Sequence, residues 1–398
     1  MRKFLGFVPL LALAACGSGG SGIHTAGSVA APGGLGGGDS GSGGSTGAVD
    51  PGTGAGVTAG NGGSGSTATA TSFLGTGSAK TYNAVGAASS FKRLNGGGTL
   101  YQGNASTATT PLGTIAYDPR DGIFTIQLSD TKAGIDVNVR TQDPAHRIDF
   151  DPARVPQAGV PSFNGFNYLE VVGEAVTDVT TFFYQRPGAA TTYVTLAGYV
   201  RNSVPADPTA TQIFERGAMV FGDLTPVLQI PTKGTASYTG GFIGAMINNP
   251  SYDTGASLAS TYQWVYGSSK IDIDFGKQSF ALSLNGTVDN SATTAVTIAN
   301  GSSFTAAGGG TVSLVGAGGF TGSFTSACFV AACGAAGAVP IDFASVSPGS
   351  STAGASSIDG AFYGPNAVNV GGSFRIVGGV PDQRVDLNGA FTGAKTGN

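Results

Sequence analysis

Ionisable chemistry is scarce in this chain. Its 398 residues include two histidines, His24 and His146, three cysteines and one tryptophan, and charged residues make up 11% of the total. A serine or cysteine nucleophile needs a base beside it, and His146 stands in a turn-rich run, Pro144-Ala145-His146-Arg147. No Gly-x-Ser-x-Gly elbow falls on a strand-to-helix turn. A metal centre built from histidine and cysteine lacks ligands. The formal net charge of −4 and the lack of basic runs exclude the electrostatic footprint that nucleic acid requires. Long apolar runs with helical period are also missing. These absences predict a protein with no catalytic residues, no metal and no cofactor. Glycine is the reverse case, with 68 residues, many of them in the first seventy positions.

The chain opens with Arg2 and Lys3, then runs apolar from Phe4 to Ala15. That is a charged start and an apolar stretch too short to span a bilayer as a helix. It ends Leu13-Ala14-Ala15-Cys16, which resembles the bacterial lipobox, so residues 1–15 read as a lipoprotein signal peptide. The resemblance implies diacylglyceryl transfer to Cys16, cleavage before it and acylation of the new N-terminus. More than one acyl chain gives durable membrane anchoring. Gly17 follows, where an aspartate often retains such proteins at the inner membrane, and this points to the outer membrane. Residues 16–72 are almost wholly Gly, Ser, Thr and Ala. Such a segment buries too little apolar surface to offset its ordering entropy. It reads as a coil tether reaching on the order of 40 Å, from ~5–6 Å times the square root of its length. His24 lies within it.

After Phe73 the dominant pattern is alternation with period two. Ile271, Ile273 and Phe275 alternate with Asp272 and Asp274; Phe280, Leu282 and Leu284 alternate with Ala281, Ser283 and Asn285; Val385, Leu387 and Phe391 alternate with Asp386, Asn388 and Ala390. Successive strand side chains point to opposite faces, so each run is half buried in antiparallel sheet. Gly276-Lys277 reads as a tight hairpin. From Lys233 onward about eight strands are expected, enough to close a small barrel filled by side chains. Closure removes exposed edges. Membrane-spanning barrels alternate too, with the apolar face outward. The polar end Lys395-Thr396-Gly397-Asn398, the single Trp264 and the lipid anchor favour the water-facing arrangement. Upstream, strands are expected at 122–128, 135–139, 168–172, 180–185, 193–200 and 218–221, with a proline-rich loop at 144–161. The expected fold is all-β: tether, a loop-rich β domain over 73–230, then an eight-stranded antiparallel barrel over 231–398.

Asp272 with Asp274, and Asp382 with Asp386, read as solvated carboxylates. Cys328 and Cys333 lie beyond the leader of an exported chain, where oxidising conditions favour a disulfide. Phe163, Phe166 and Tyr168, in Ser-Phe-Asn-Gly-Phe-Asn-Tyr, are either core or ligand contacts, since aromatic side chains are favoured at interfaces.

Several stretches carry a further resemblance. Tyr238 and Gly240 fall in Thr-Ala-Ser-Tyr-Thr-Gly. Phe362, Tyr363, Gly364, Pro365 and Asn366 fall in Gly-Ala-Phe-Tyr-Gly-Pro-Asn-Ala, followed by Gly371 and Gly372. In this order the segments resemble the β-barrel domain of transferrin-binding protein B and related surface lipoproteins, and Tyr193, Gly198-Tyr199 and Phe221-Gly222 resemble the end of its preceding "handle". The resemblance implies one handle and one barrel, a structural role for these motif residues, and an outer-membrane, surface-exposed, lipid-anchored protein. Such a protein would bind an extracellular protein or solute, in nutrient or iron acquisition, beside a TonB-dependent receptor or surface-export translocon. Asn369 stands where relatives often carry an acid, and no transferrin-contacting segment is recognised, so another protein or a small solute is the expected ligand. The alternative reading is a structural or adhesive surface lipoprotein.

Overall fold

The computed structural model describes residues 24–25, 74, 77–93, 99–100, 106–107, 112–131, 133–142, 157–173, 177–188, 191–250, 260–289, 298–346 and 351–397. The leader, Cys16, His146 and nearly all of the 16–72 segment lie outside the described residues. Within that segment His24–Thr25 pairs antiparallel with Val172 and Val171. These two residues are strand rather than coil, and they cover backbone groups at a sheet edge.

Besides the two-residue strands His24–Thr25, Thr99–Leu100 and Ser106–Thr107, eight longer strands form the first sheet: β1 (Lys80–Arg93), β2 (Gly113–Asp118), β3 (Ile123–Asp130), β4 (Ile135–Gln142), β5 (Phe166–Val172), β6 (Asp178–Gln185), β7 (Val194–Ser203) and β8 (Gln212–Gly222). Their order is β5-β6-β7-β8-β1-β2-β3-β4, all antiparallel. The sheet curls until β4 lies beside β5.

Eight more follow: β9 (Thr235–Asn249), β10 (Thr261–Asp274), β11 (Ser279–Asp289), β12 (Ser303–Ser313), β13 (Gly319–Phe329), β14 (Ala355–Tyr363), β15 (Asn369–Val380) and β16 (Gln383–Thr396). They run β12-β11-β10-β9-β16-β15-β14-β13, and pairing of β12 with β13 closes the barrel. Both the all-β class and the eight-stranded barrel agree with the sequence reading.

Alternation sets which face is buried. On β11, Phe280, Leu282 and Leu284 point into the barrel while Ala281, Ser283 and Asn285 are exposed. An apolar inside with a polar outside is the reverse of a lipid-facing barrel. The interior is filled by rings, among them Phe242, Phe304, Phe320, Phe324, Phe374 and Phe391. Two rings lie directly on glycine backbone: a Cβ at Gly360 would sit 2.2 Å from the Phe320 ring, and one at Gly389 2.1 Å from Phe374. The missing side chains are the space those rings occupy.

β1 and β2 escaped the sequence reading. In β1, Gly86, Ala87, Ala88 and Ser89 are buried in succession, because one face packs on the first sheet's core and the other on β15 and β16. A strand covered on both faces loses its alternation. The Gly276-Lys277 hairpin is a four-residue loop over 275–278, where Lys277 N–H donates to Asp274 Oδ1 at 2.9 Å. Its left-handed residue is Gln278, at φ 53°, rather than Gly276.

Candidate binding site at the seam between the sheets

The outer faces of β7 and β8 meet those of β9, β10, β15 and β16 along one seam. Val194, Leu196 and Val220 pack against Ile243, Ala245 and Trp264. Farther along, Phe91 and Phe214 join Ile247 and Tyr262. Hydrogen bonds cross or border the same line. Thr225 Oγ1–H donates to the Gly364 carbonyl at 2.6 Å, Tyr193 N–H to Asn369 Oδ1 at 3.1 Å, and Trp264 Nε1–H to the Gly159 carbonyl at 2.8 Å.

The motif residues fall into two groups. Tyr238, Phe362 and their neighbours face the barrel interior, and Tyr238 O–H donates to the Ala367 carbonyl at 2.9 Å. Gly240 and Gly372 are pressed against neighbouring strands, where a Cβ would come within 2.2 Å of the carbonyls of Thr392 and Asp359. Tyr363, Gly364 and Gly371 face the first sheet. Gly364 has φ 72°, and a Cβ there would lie 2.5 Å from the Tyr193 ring; one at Gly371 would lie 2.9 Å from Val194. Pro365 opens a short 3-10 turn in which Asn366 takes φ 53°.

At one flank the seam opens into a cleft of about 200 Å³. Phe163 forms its floor, 8% exposed, with ring centroids 5.3 Å from Phe166, 4.9 Å from Tyr266 and 6.2 Å edge-on from Trp264. Phe163 N–H donates to the Tyr168 hydroxyl at 2.7 Å, which fixes the turn carrying it. Burial raises the Tyr168 pKa, so the hydroxyl stays protonated. The structure thus brings Phe163, Phe166 and Tyr168 together at the seam, with Phe163 and Phe166 lining the cleft and Tyr168 behind them. Tyr266, 40% exposed, supplies the opposite wall. It was not singled out from sequence, although Tyr262, Trp264 and Tyr266 occur at every second position and so share one strand face.

Charged groups cluster elsewhere. Arg201 pairs with Asp178 at 2.8 Å and with Glu215 at 3.0 Å. Burial pushes the Glu215 carboxyl up to about 7, with Arg201 opposing, and burial lowers Arg216 to about 10. Asp386 corrects the expectation of a solvated acid. It is fully buried and pairs with Arg375 at 2.7 Å and Arg384 at 3.4 Å, because the first sheet covers the outer face of β16. Asp272 and Asp274 do sit on the wet face. Hydrogen bonds from Lys270 and Ser237 hold the first below the usual carboxylate range, and those from Lys277 hold the second. Both border a wider, shallow groove at the barrel end and are ionised, so neither is poised as a general acid. Cys328 and Cys333 are disulfide-bonded, with Cα atoms 5.3 Å apart. Among the described residues no group of three or more His, Cys, Asp or Glu could hold a metal.

The barrel is thus closed and filled by rings, and it is docked on a curled sheet along an aromatic seam. Residues 230–396 match the family model for the C-lobe and N-lobe beta barrels of Tf-binding protein B. Over this stretch the chain is therefore similar to a β-barrel domain of the transferrin-binding protein B type. No curated protein matches the sequence. Among solved structures, a tryptophan-to-alanine mutant of Transferrin Binding Protein B from Haemophilus parasuis Hp5 is 11% identical, covering 81% of this chain and 77% of its own, at a TM-score of 0.26. Intact Ap-TbpB, with N and C lobes, is 10% identical over 80% and 78%, at 0.28. The isotype 1 protein from serogroup B Neisseria meningitidis is 12% identical over 80% and 77%, at 0.22.

Proposed function

We propose that this chain is a lipid-anchored surface binding protein. Cys16 carries the acyl chains, residues 16–72 form the tether, 73–230 act as a handle and 231–398 as the barrel. On this reading the protein stands off the outer membrane and captures an extracellular protein or solute at the aromatic seam. A TonB-dependent receptor or surface-export translocon is the natural membrane partner of such a role. The carrying observation is the solvent-open aromatic cleft that the two sheets make jointly on a barrel of a binding-protein family. Aromatic side chains at an accessible concave site supply large contact area at small entropic cost.

Two measurements test it. Labelled palmitate is incorporated into the wild-type chain and not into Cys16→Ser, and intact cells lose the protein to external protease. A recombinant chain starting at Gly17, immobilised and offered extracellular fluid, retains one saturable species, and Tyr266→Ala loses it. Retention unchanged by Tyr266→Ala and by Phe166→Ala contradicts the seam as the site. A chain that takes up no palmitate contradicts the anchor.

A further inference from the structure

We infer that the seam cleft accepts one neutral sugar ring, presented as a free saccharide or as the end of a glycan. The inference rests on the proposed binding function and names the ligand chemistry of the same site. Three features of the cleft point to it.

The first is size. A volume of about 200 Å³ holds roughly six waters at ~30 Å³ each, below the ~300–1,000 Å³ of sites that enclose drug-sized ligands. One six-membered ring fits inside it, with the remainder of any longer ligand left in solvent.

The second is charge. No residue lining the cleft carries one. A charged ligand would lose hydration there with no counter-ion to replace it.

The third is the arrangement of apolar and polar groups. Phe163, Phe166 and Tyr266 bring three aromatic rings to the cleft, and the polar residues Gln185, Asn164 and Ser162 line the same space. A pyranose has a C–H face that packs on an aromatic ring and a rim of hydroxyls that exchange hydrogen bonds with amides. A flat aromatic ligand would leave those amides facing its edge without partners. In the barrel wall beneath, Gly241 leaves out a side chain whose Cβ would lie 3.6 Å from Leu196.

The only tryptophan reports on the site. Trp264 is buried, edge-on to Phe163 at 6.2 Å and two residues from Tyr266. The test is a titration of Trp264 emission in the full-length chain without its leader. The probes are methyl β-glucoside, methyl β-galactoside and N-acetylglucosamine, with glucuronate, glucosamine and phenol alongside. At least one neutral sugar is expected to shift the emission saturably, with a dissociation constant on the order of millimolar for so small a ligand. Tyr266→Ala, a half-exposed position whose truncation leaves the core intact, should weaken that binding at least tenfold. Gln185→Leu should weaken it with an unchanged melting curve. Overturning results are no response to any neutral sugar, an equal response in Tyr266→Ala, or a stronger response to phenol or to the charged sugars. If sugars fail while Tyr266→Ala still abolishes retention from extracellular fluid, the sugar class falls and the seam site stands. If Tyr266→Ala affects neither, both readings fall.

Discussion

The guanidinium carbon of Arg216 lies 4.9 Å from the ring centroid of Tyr262, across the seam. Both residues are buried, Arg216 at 4% and Tyr262 at 8% exposure. The contact ties β8 of the first sheet to β10 of the barrel and places a charge where water does not reach. The ring also packs against Phe91, with centroids 4.4 Å apart. Tyr262→Ala should therefore destabilise by about 3–4 kcal/mol, as buried aromatic truncations do. Tyr262→Phe keeps the ring over Arg216 and should cost less than about 1 kcal/mol. Urea denaturation of the two variants separates these values.

Glu215 couples folding to pH. Its carboxyl is pushed from 4.5 up to about 7, mainly by burial, with the Asp178 and Asp136 charges adding and Arg201 opposing. The folded state thus holds the Glu215 proton more tightly than the unfolded state. Its stabilising share is complete below about pH 4.5 and is lost as pH rises through about 7. The loss is at most about 3 kcal/mol, at 1.36 kcal/mol per unit. Glu215→Gln should flatten the wild-type decline in melting temperature between those pH values. A decline that persists unchanged in Glu215→Gln would assign it to another group.

Val330 occupies a conformation that a β-branched residue rarely adopts. Its φ is 71°, and Ala331 N–H donates to the Phe329 carbonyl at 2.8 Å, closing a tight three-residue turn. The side chain is 53% exposed, so it gains little from burial. Val330→Gly should raise stability by about 1 kcal/mol, the relief of a left-handed L-residue less the added chain entropy of glycine. A fall in the denaturation midpoint would contradict that account.

The neighbouring disulfide encloses the same turn. Cys328 and Cys333, five positions apart, close a loop whose constraint on the unfolded chain is worth about 2 kcal/mol by loop entropy. A Cys328→Ser, Cys333→Ser double variant should lose roughly that much, measured with the wild type under non-reducing conditions.

Much of this architecture is written in alternation. β4 reads Ile135, Val137 and Val139 inward against Asp136, Asn138 and Arg140 outward, and such strands are legible because one face stays wet. Legibility fails where a second sheet covers the outer face. The buried run Gly86 to Ser89 in β1 is small and mixed in polarity, and Asp386 reads as solvated until β1 is seen to pack across β15 and β16. Part of the aromatic site was visible in the run Phe163 to Tyr168. The rest was not, because Tyr266 reaches the cleft only through docking of two sheets distant in sequence. Glycines told the same story. Gly364 and Gly371 look like turn and strand glycines alone, yet each stands where Tyr193 or Val194 presses on the barrel.

The central claim is that the two sheets form one body whose seam makes the site. Thermal unfolding followed at once by Trp264 fluorescence and by far-UV circular dichroism tests it most directly. Trp264 sits in the seam, and circular dichroism reports both sheets. The account predicts one coincident transition by both probes, moved to lower temperature in both by Phe163→Ala. A Trp264 transition that completes while the sheet signal is still native would contradict it.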